Sequence, residues 1–168
     1  MQTGWKWSAL FLAATAMAGT CFAQNPEAVK FYKLNFVVKE VDGAKVVNSR
    51  AYSMIVSTDK SARPTSVRTG SKVPYQVSNG GGFQYADVGV NIDCYQVRDD
   101  GNNLSLAVGA DISSMTQEPG TTLQPVIHQN KWNSTVVVPL KKPVMIFSSD
   151  DATSKRQMQL ELTASPIS

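Results

Sequence analysis

Phe83-Gln84-Tyr85-Ala86-Asp87-Val88-Gly89-Val90-Asn91-Ile92-Asp93-Cys94 is the stretch whose reading decides the fold. From Ala86 to Cys94 one parity is small or apolar (Ala86, Val88, Val90, Ile92, Cys94). The other is mostly polar (Asp87, Gly89, Asn91, Asp93). A period of two sets the first group on one side of an extended strand and the second on the other. Such a strand needs neighbours to pair its main-chain groups and a second layer to cover its apolar side.

Both flanks supply more of the same. Downstream, Asp99-Asp100-Gly101-Asn102 marks a tight turn. Leu104, Leu106, Val108, Ala110 and Ile112 then alternate with Ser105, Ala107, Gly109 and Asp111. Residues 116–122, with Pro119-Gly120, read as a loop. A long strand over 123–139 follows, carrying Val126, His128, Trp132, Val136 and Val138 on one parity, with Asn130 and Ser134 as polar interruptions. Leu140-Lys141-Lys142-Pro143 is a turn, residues 144–147 a short strand, and 148–155 a polar loop. Met158, Leu160, Leu162 and Ala164 alternate in a last strand.

Upstream, Ser78-Asn79-Gly80-Gly81-Gly82 is a flexible turn, and residues 65–75 read as two short strands around Thr69-Gly70-Ser71. Pro74 cannot donate to a ladder, so it belongs at an edge or a strand end. Residues 59–64 form a loop. Before it, alternating segments over 31–41 and 45–58 flank Asp42-Gly43, a strong hairpin signal. No segment beyond residue 24 has an apolar stripe of helical period. The sequence predicts an all-β chain, a single antiparallel β-sandwich, with a small β-barrel as the alternative closure. The domain is expected over 31–164, after a polar lead at 24–30 and before a tail at 165–168.

Residues 1–23 read as a secretory signal: Lys6, an apolar run from Trp7 to Gly19, and Cys21-Phe22-Ala23 before Gln24. The run is too short to span a bilayer, and Ala18-Gly19-Thr20 is a poor lipobox for acylation of Cys21. Export is therefore expected, to the periplasm, the outer membrane or the exterior, with no transmembrane helix in the mature chain. Loss of Lys6 with the leader leaves fifteen basic residues against 13 acidic ones. That near balance points to neither nucleic acid nor an anionic membrane. Cys94 then has no partner for a disulfide and reads as a small buried hydrophobe. About 145 residues are enough to bury a core without a staple.

Chemistry is not legible. His128 is the lone histidine and has no Gly-x-Ser-x-Gly elbow or set of spaced ligands to work with. Asp99-Asp100-Gly101-Asn102-Asn103 and Ser148-Ser149-Asp150-Asp151 lack the spacing of a calcium loop, and their residues suit turns. No catalytic, cofactor-binding or metal residue is assigned, and the protein is not expected to be an enzyme. Most aromatic residues are expected in the core. Four side chains remain as interaction candidates: Arg68 and Lys72, which with Arg63 make a basic patch near the weakest strands, Tyr75, and the polar-flanked Trp132.

Three segments together resemble the core β-domain of bacterial secretins. They are Ser66-Val67-Arg68-Thr69-Gly70-Ser71-Lys72-Val73-Pro74-Tyr75, Tyr85-Ala86-Asp87-Val88-Gly89-Val90-Asn91-Ile92, and Asn103-Leu104-Ser105-Leu106 with Asp111-Ile112-Ser113-Ser114. The resemblance covers roughly residues 66–138. After Val138, Pro139-Leu140-Lys141-Lys142-Pro143 stands where a secretin has a glycine-rich segment. The resemblance thus implies the sheet scaffold without the pore. The chain also resembles small exported bacterial proteins of unassigned role through Arg68-Thr69-Gly70-Ser71-Lys72-Val73-Pro74 and Trp132-Asn133-Ser134-Thr135.

The expected function is a non-catalytic binding or envelope-assembly module acting through an exposed edge strand or the loops 78–82 and 116–122. Its expected partners are an envelope or secretion-system protein, or further copies of itself. The alternatives are a carbohydrate-binding domain or small hydrolase, and a small outer-membrane β-barrel.

Overall fold

A computed structural model describes residues 28–76, 82–116, 126–151 and 155–167. The signal segment and most of the two candidate loops lie outside the described residues. Eight strands run in chain order: β1 (Phe31–Asp42), β2 (Lys45–Ser57), β3 (Thr65–Gln76), β4 (Phe83–Asp99), β5 (Asn103–Thr116), β6 (Val126–Pro139), β7 (Val144–Asp150) and β8 (Arg156–Ile167). They form two four-stranded sheets, ordered β2-β1-β8-β7 and β3-β4-β5-β6, and neither closes into a barrel. Every pairing within the sheets is antiparallel. The sandwich, not the barrel, is the architecture.

The core follows the alternation. Leu34 and Phe36 from β1, Ile92 and Cys94 from β4, Leu104, Leu106 and Val108 from β5, and Leu160 and Leu162 from β8 meet between the sheets, each essentially inaccessible. These are the four inner strands of the two sheets, so each apolar parity is covered by the facing layer. Burial, with the Asp93 carboxylate beside it, pushes the Cys94 thiol up to about 12. Cys94 is therefore the packed hydrophobe expected of it.

Several local expectations shift. The β1–β2 turn is Gly43-Ala44, one residue later than Asp42-Gly43, because Asp42 still pairs with Lys45. Gly43 takes the positive φ of 59°. Residues 65–76 form one continuous strand, not two short ones, because Gly70 makes no turn and instead pairs with Gly89. The expected tail is also structured: β8 continues through Ser165 and Pro166 to Ile167, which pairs with Phe31. Pro74 does lie on an edge strand, β3.

Aromatic burial is less than expected. Tyr32 and Phe36 are buried and Tyr52, Trp132 and Phe147 pack against the core, but Phe31, Phe83, Tyr85 and Tyr95 are exposed. All four lie on the parity opposite the buried residues of their strands, Tyr32, Leu34 and Phe36 in β1 and Val90, Ile92 and Cys94 in β4, so their rings face away from the other sheet.

One polar tie crosses between the sheets at the start of β1. Asp99, at the end of β4, accepts hydrogen bonds from the Lys30 ammonium, the Tyr32 hydroxyl and the Gly101 N–H. These three donors hold its carboxyl below the usual range. Burial, then the hydrogen bond and charge of Asp99, pushes the Tyr32 phenol up to about 12. The Asp-Gly turn that follows has Gly101 at φ 77°, so Asp99 is occupied as a structural acceptor.

Candidate interaction surface

The sheet β3-β4-β5-β6 splits at one end. The β4–β5 ladder stops at Val90↔Ile112, although β4 continues back to Phe83 and β5 onward to Thr116. At the split, the Ser113 hydroxyl receives the Gly89 N–H at 3.0 Å and donates to the Gly89 carbonyl at 3.4 Å. A side chain thus satisfies the last main-chain groups and terminates the ladder. Beyond it, residues 83–89 of β4 pair with β3 alone, and residues 113–116 of β5 pair with β6 alone. Two hairpin arms diverge from a fork.

The β3–β4 arm is pinched at its root. Gly70 and Gly89 are direct partners. A Cβ on Gly70 would lie 2.6 Å from the Val88 carbonyl oxygen, and one on Gly89 would press closer still on the Thr69 oxygen and the Gly70 Cα. Both obstacles are main chain, which cannot swing aside. The two glycines therefore let β3 and β4 approach more closely than strands bearing side chains could.

Pairing alternates from one side of a strand to the other along its length. Because the main-chain groups of Gly89 face β5, those of Asp87, Tyr85 and Phe83 face the same way. Among the described residues no strand meets them there. Phe83 is 70% and Tyr85 65% exposed. Residues 83–87 of β4 thus carry an open main-chain edge flanked by two accessible rings.

Two of the sheet edges, those of β3 and β7, are better guarded. On the outer edge of β3, Pro74 removes a donor, and Arg68 and Lys72 place charge beside the strand. On the outer edge of β7, Lys141, Lys142 and Pro143 precede the strand and a bulge falls between Met145 and Phe147.

The four interaction candidates do not form one patch. Arg68 donates to Asp93 at 2.6 Å, and Ser66 donates to the same carboxylate at 2.5 Å. Burial opposes ionisation of Asp93, but these two donors outweigh it and hold its carboxyl below the usual range. Lys72 lies 3.3 Å from Asp87, and the Tyr75 hydroxyl donates to Gln84 at 2.7 Å. All three are therefore engaged in holding β3 to β4. Trp132 stands at the opposite edge of the sheet, on β6, half-buried with its ring centroid 5.7 Å from that of Phe147 on β7. Phe83, Tyr85 and Ser113 are the residues that sequence reading missed. Two signals were available: the glycine pair, Gly70 and Gly89, which sits within the quoted motifs, and the parity of Phe83 and Tyr85, which they share with polar Asp87 and Asn91.

Beneath the fork, the inward positions turn from apolar to polar. Glu40, Arg50, His128, Asn130, Asp151 and Arg156 line a cavity of about 90 Å³ between the sheets. Arg156 donates to Glu40 at 2.8 Å, and His128 Nδ1 lies 3.7 Å from Asp151. Hydrogen bonding with Glu40, and then its charge, raises the Arg156 guanidinium further above its ordinary value. His128 is thus a strand residue at a polar mouth. Among the described residues no cluster of three or more His, Cys, Asp or Glu could hold a metal ion, and no helix is long and apolar enough to cross a membrane.

No protein-family profile matches this chain, and no curated protein matches its sequence. Solved structures do. The secretin InvG of the Salmonella SPI-1 type III secretion injectisome is similar at a TM-score of 0.51 and 8% identity, over 83% of this chain and 62% of that one. The type II secretion system secretin XcpQ of Pseudomonas aeruginosa gives 0.49 and 10%, over 83% and 57%. The type II secretin GspD of enteropathogenic Escherichia coli gives 0.46 and 10%, over 83% and 66%. The chain spans less than two thirds of the length of each. At such identities the likeness is one of fold, and the InvG match extends it well past the motifs quoted above. The chain has the fold of the secretin core β-domain.

Proposed function

We propose that this protein is an exported, non-catalytic envelope-assembly module that binds another chain by strand addition at the open edge of β4. The observation that carries this reading is the fork: Phe83, Tyr85 and Asp87 direct main-chain donors and acceptors away from β3, with two exposed rings alongside. Main-chain hydrogen bonds would supply affinity, and contacts with the exposed Phe83 and Tyr85 rings would supply selectivity. The signal-like residues 1–23 and the fold shared with an injectisome secretin support an envelope location. The partner we propose is a β-rich protein of an envelope secretion system; self-assembly through the same edge is the competing outcome.

Proline separates this mechanism from simple surface stickiness. The Tyr85 N–H faces the fork, so Tyr85→Pro removes one open donor while leaving the β3–β4 pairing in place. Tyr85→Ala removes the ring but keeps the donor. The reading expects co-purification of a named secretion-system protein from envelope extract, or a defined oligomer by light scattering. It expects that association to be lost in Tyr85→Pro and only weakened in Tyr85→Ala. A monomer without an envelope partner, or association indifferent to Tyr85→Pro, would overturn it.

A further inference from the structure

At the end of the sandwich away from the fork, the connection from β2 to β3 crosses from one sheet to the other and encloses a cleft of about 350 Å³. Small-molecule sites begin at about 300 Å³. One wall is the crossover, with Lys60, Arg63 and Pro64; the other is the end of β4, with Tyr95, Gln96 and Arg98; buried Cys94 is among the lining residues.

The crossover is braced. Thr58 N–H donates to the Lys30 carbonyl and Lys30 N–H to the Thr58 hydroxyl, both at 3.0 Å. Asp59 accepts the Ser61 N–H at 2.8 Å and its hydroxyl at 2.7 Å. The opposite wall is distorted. The β4–β5 register shifts between Tyr95 and Arg98, and Gln96 has a φ of 54°. A glutamine gains nothing locally from the left-handed region, and strain of this kind gathers where a strand is bent to present a site.

Charge gives the cleft its chemistry. Lys60, Arg63 and Arg98 line one cavity, all three are exposed, and none has an ion pair or side-chain hydrogen bond among the described residues. Of the other cations, Lys30, Lys39, Arg68, Lys72 and Arg156 are each paired with a carboxylate, whereas Lys33, Lys45, Arg50, Lys131, Lys141, Lys142 and Lys155 have no ion pair among the described residues. What sets Lys60, Arg63 and Arg98 apart is that all three line one cavity. The one acid lining the cleft, Asp59, is held by Ser61. Tyr95, 38% exposed, adds a flat apolar surface on the same wall.

We propose that this cleft binds a small organic phosphate, its phosphoryl oxygens held by Lys60, Arg63 and Arg98 and its organic body resting on Tyr95. Three unpaired cations suit a dianion better than a single carboxylate, and guanidinium forks match phosphate oxygens in pairs. The site is independent of the fork.

Titration calorimetry of the whole protein at low ionic strength tests it, with phenyl phosphate, inorganic phosphate and benzoate as probes. Phenyl phosphate should bind saturably at one site, more tightly than inorganic phosphate for want of a ring and than benzoate for want of charge. Arg63→Ala and Arg98→Ala should each weaken it about tenfold or more, the loss of a charge-assisted hydrogen bond. Arg98→Lys should recover part of the loss. Arg63 lies on the crossover outside the strands, so its variant remains informative even where a change on β4 disturbs folding. Competition between phenyl phosphate and vesicles containing phosphatidic acid would place the phosphate on a lipid; binding of phenyl phosphate without competition would make the ligand soluble. Absence of saturable phenyl phosphate binding, or binding unchanged in both alanine variants, overturns the proposal.

Discussion

Gly89→Ala loads the approach at which, among the described glycines, an added Cβ would be most crowded. The added Cβ would press on the Thr69 oxygen and the Gly70 Cα, with the Thr69 carbonyl carbon at 2.9 Å. Relief requires the β3 and β4 backbones to part at the root of the arm, since no side chain can give way. Overpacking of this kind costs about 1–3 kcal/mol. The loss should stay local: β4 from Val90 onward is also paired with β5, whereas residues 83–89 depend on β3 alone. Opening of the arm should therefore become about 5–150-fold more frequent, at about 1.4 kcal/mol per tenfold. The assay is amide hydrogen exchange under native conditions. Amides of Ala86 and Val88, which face β3, should exchange faster by that factor, while those of Leu34, Leu106 and Leu160 in the inner strands hold. Gly109→Ala is the matched control. Its Cβ would press on the Asn133 side-chain oxygen alone, at 2.6 Å, with the Asn133 Cγ and Asp93 Cβ at ordinary contact distances, and that amide can rotate, so the change should stay within about 0.5 kcal/mol. Wild-type exchange of the arm in Gly89→Ala, or equal effects from both variants, would refute the close-approach reasoning.

Other outcomes follow from the core and its polar ties. Cys94, buried with its thiol pushed up to about 12, should resist thiol reagents at pH 8 in the folded protein and react at once in denaturant; rapid native labelling would contradict its packing. Phe36→Ala removes a fully buried ring between the sheets and should cost about 3–5 kcal/mol in a denaturant melt; a loss below 1 kcal/mol would show the site collapsing around the gap. Tyr32 is held neutral in the fold, its pKa raised from 10.0 to about 12. Its contribution is therefore whole below pH 10 and falls as pH rises from 10 to 12, because the unfolded chain releases the proton first. Tyr32→Phe should flatten that part of the stability profile, and an unchanged profile would assign the loss to other groups.

Much of the sandwich was legible because its signal is local. Two-residue alternation in 31–41, 86–94, 104–112 and 158–164 marked four strands, which the sheet order then shows to be the inner ones, and the Asp-Gly turns located two reversals. What alternation could not convey was extent. Thr69-Gly70-Ser71 looks like a turn, and only the partner strand shows that Gly70 lies flat against Gly89. Phe83 and Tyr85, by contrast, share the parity of Asp87 and Asn91, opposite buried Val90 and Ile92, and that alternation already turns them away from the second sheet despite their size. Arg68, Lys72 and Tyr75 share a strand with each other but not with Trp132, and sheet order alone reveals that separation. The fork and the cleft both arise from pairing between remote residues, Gly89 with Ser113 and the 58–64 crossover with the β4 bulge. No window of sequence contains either.

The most direct test of the assembly account is residue-resolved hydrogen exchange of the β4 amides, in the isolated protein and again in its assembled form. In isolation, Gln84, Ala86 and Val88 should be protected by β3 while Tyr85 and Asp87 exchange freely. On assembly, Tyr85 and Asp87 should become protected as well. If those two amides stay fast in the assembled protein, the open edge of β4 is not where another chain binds.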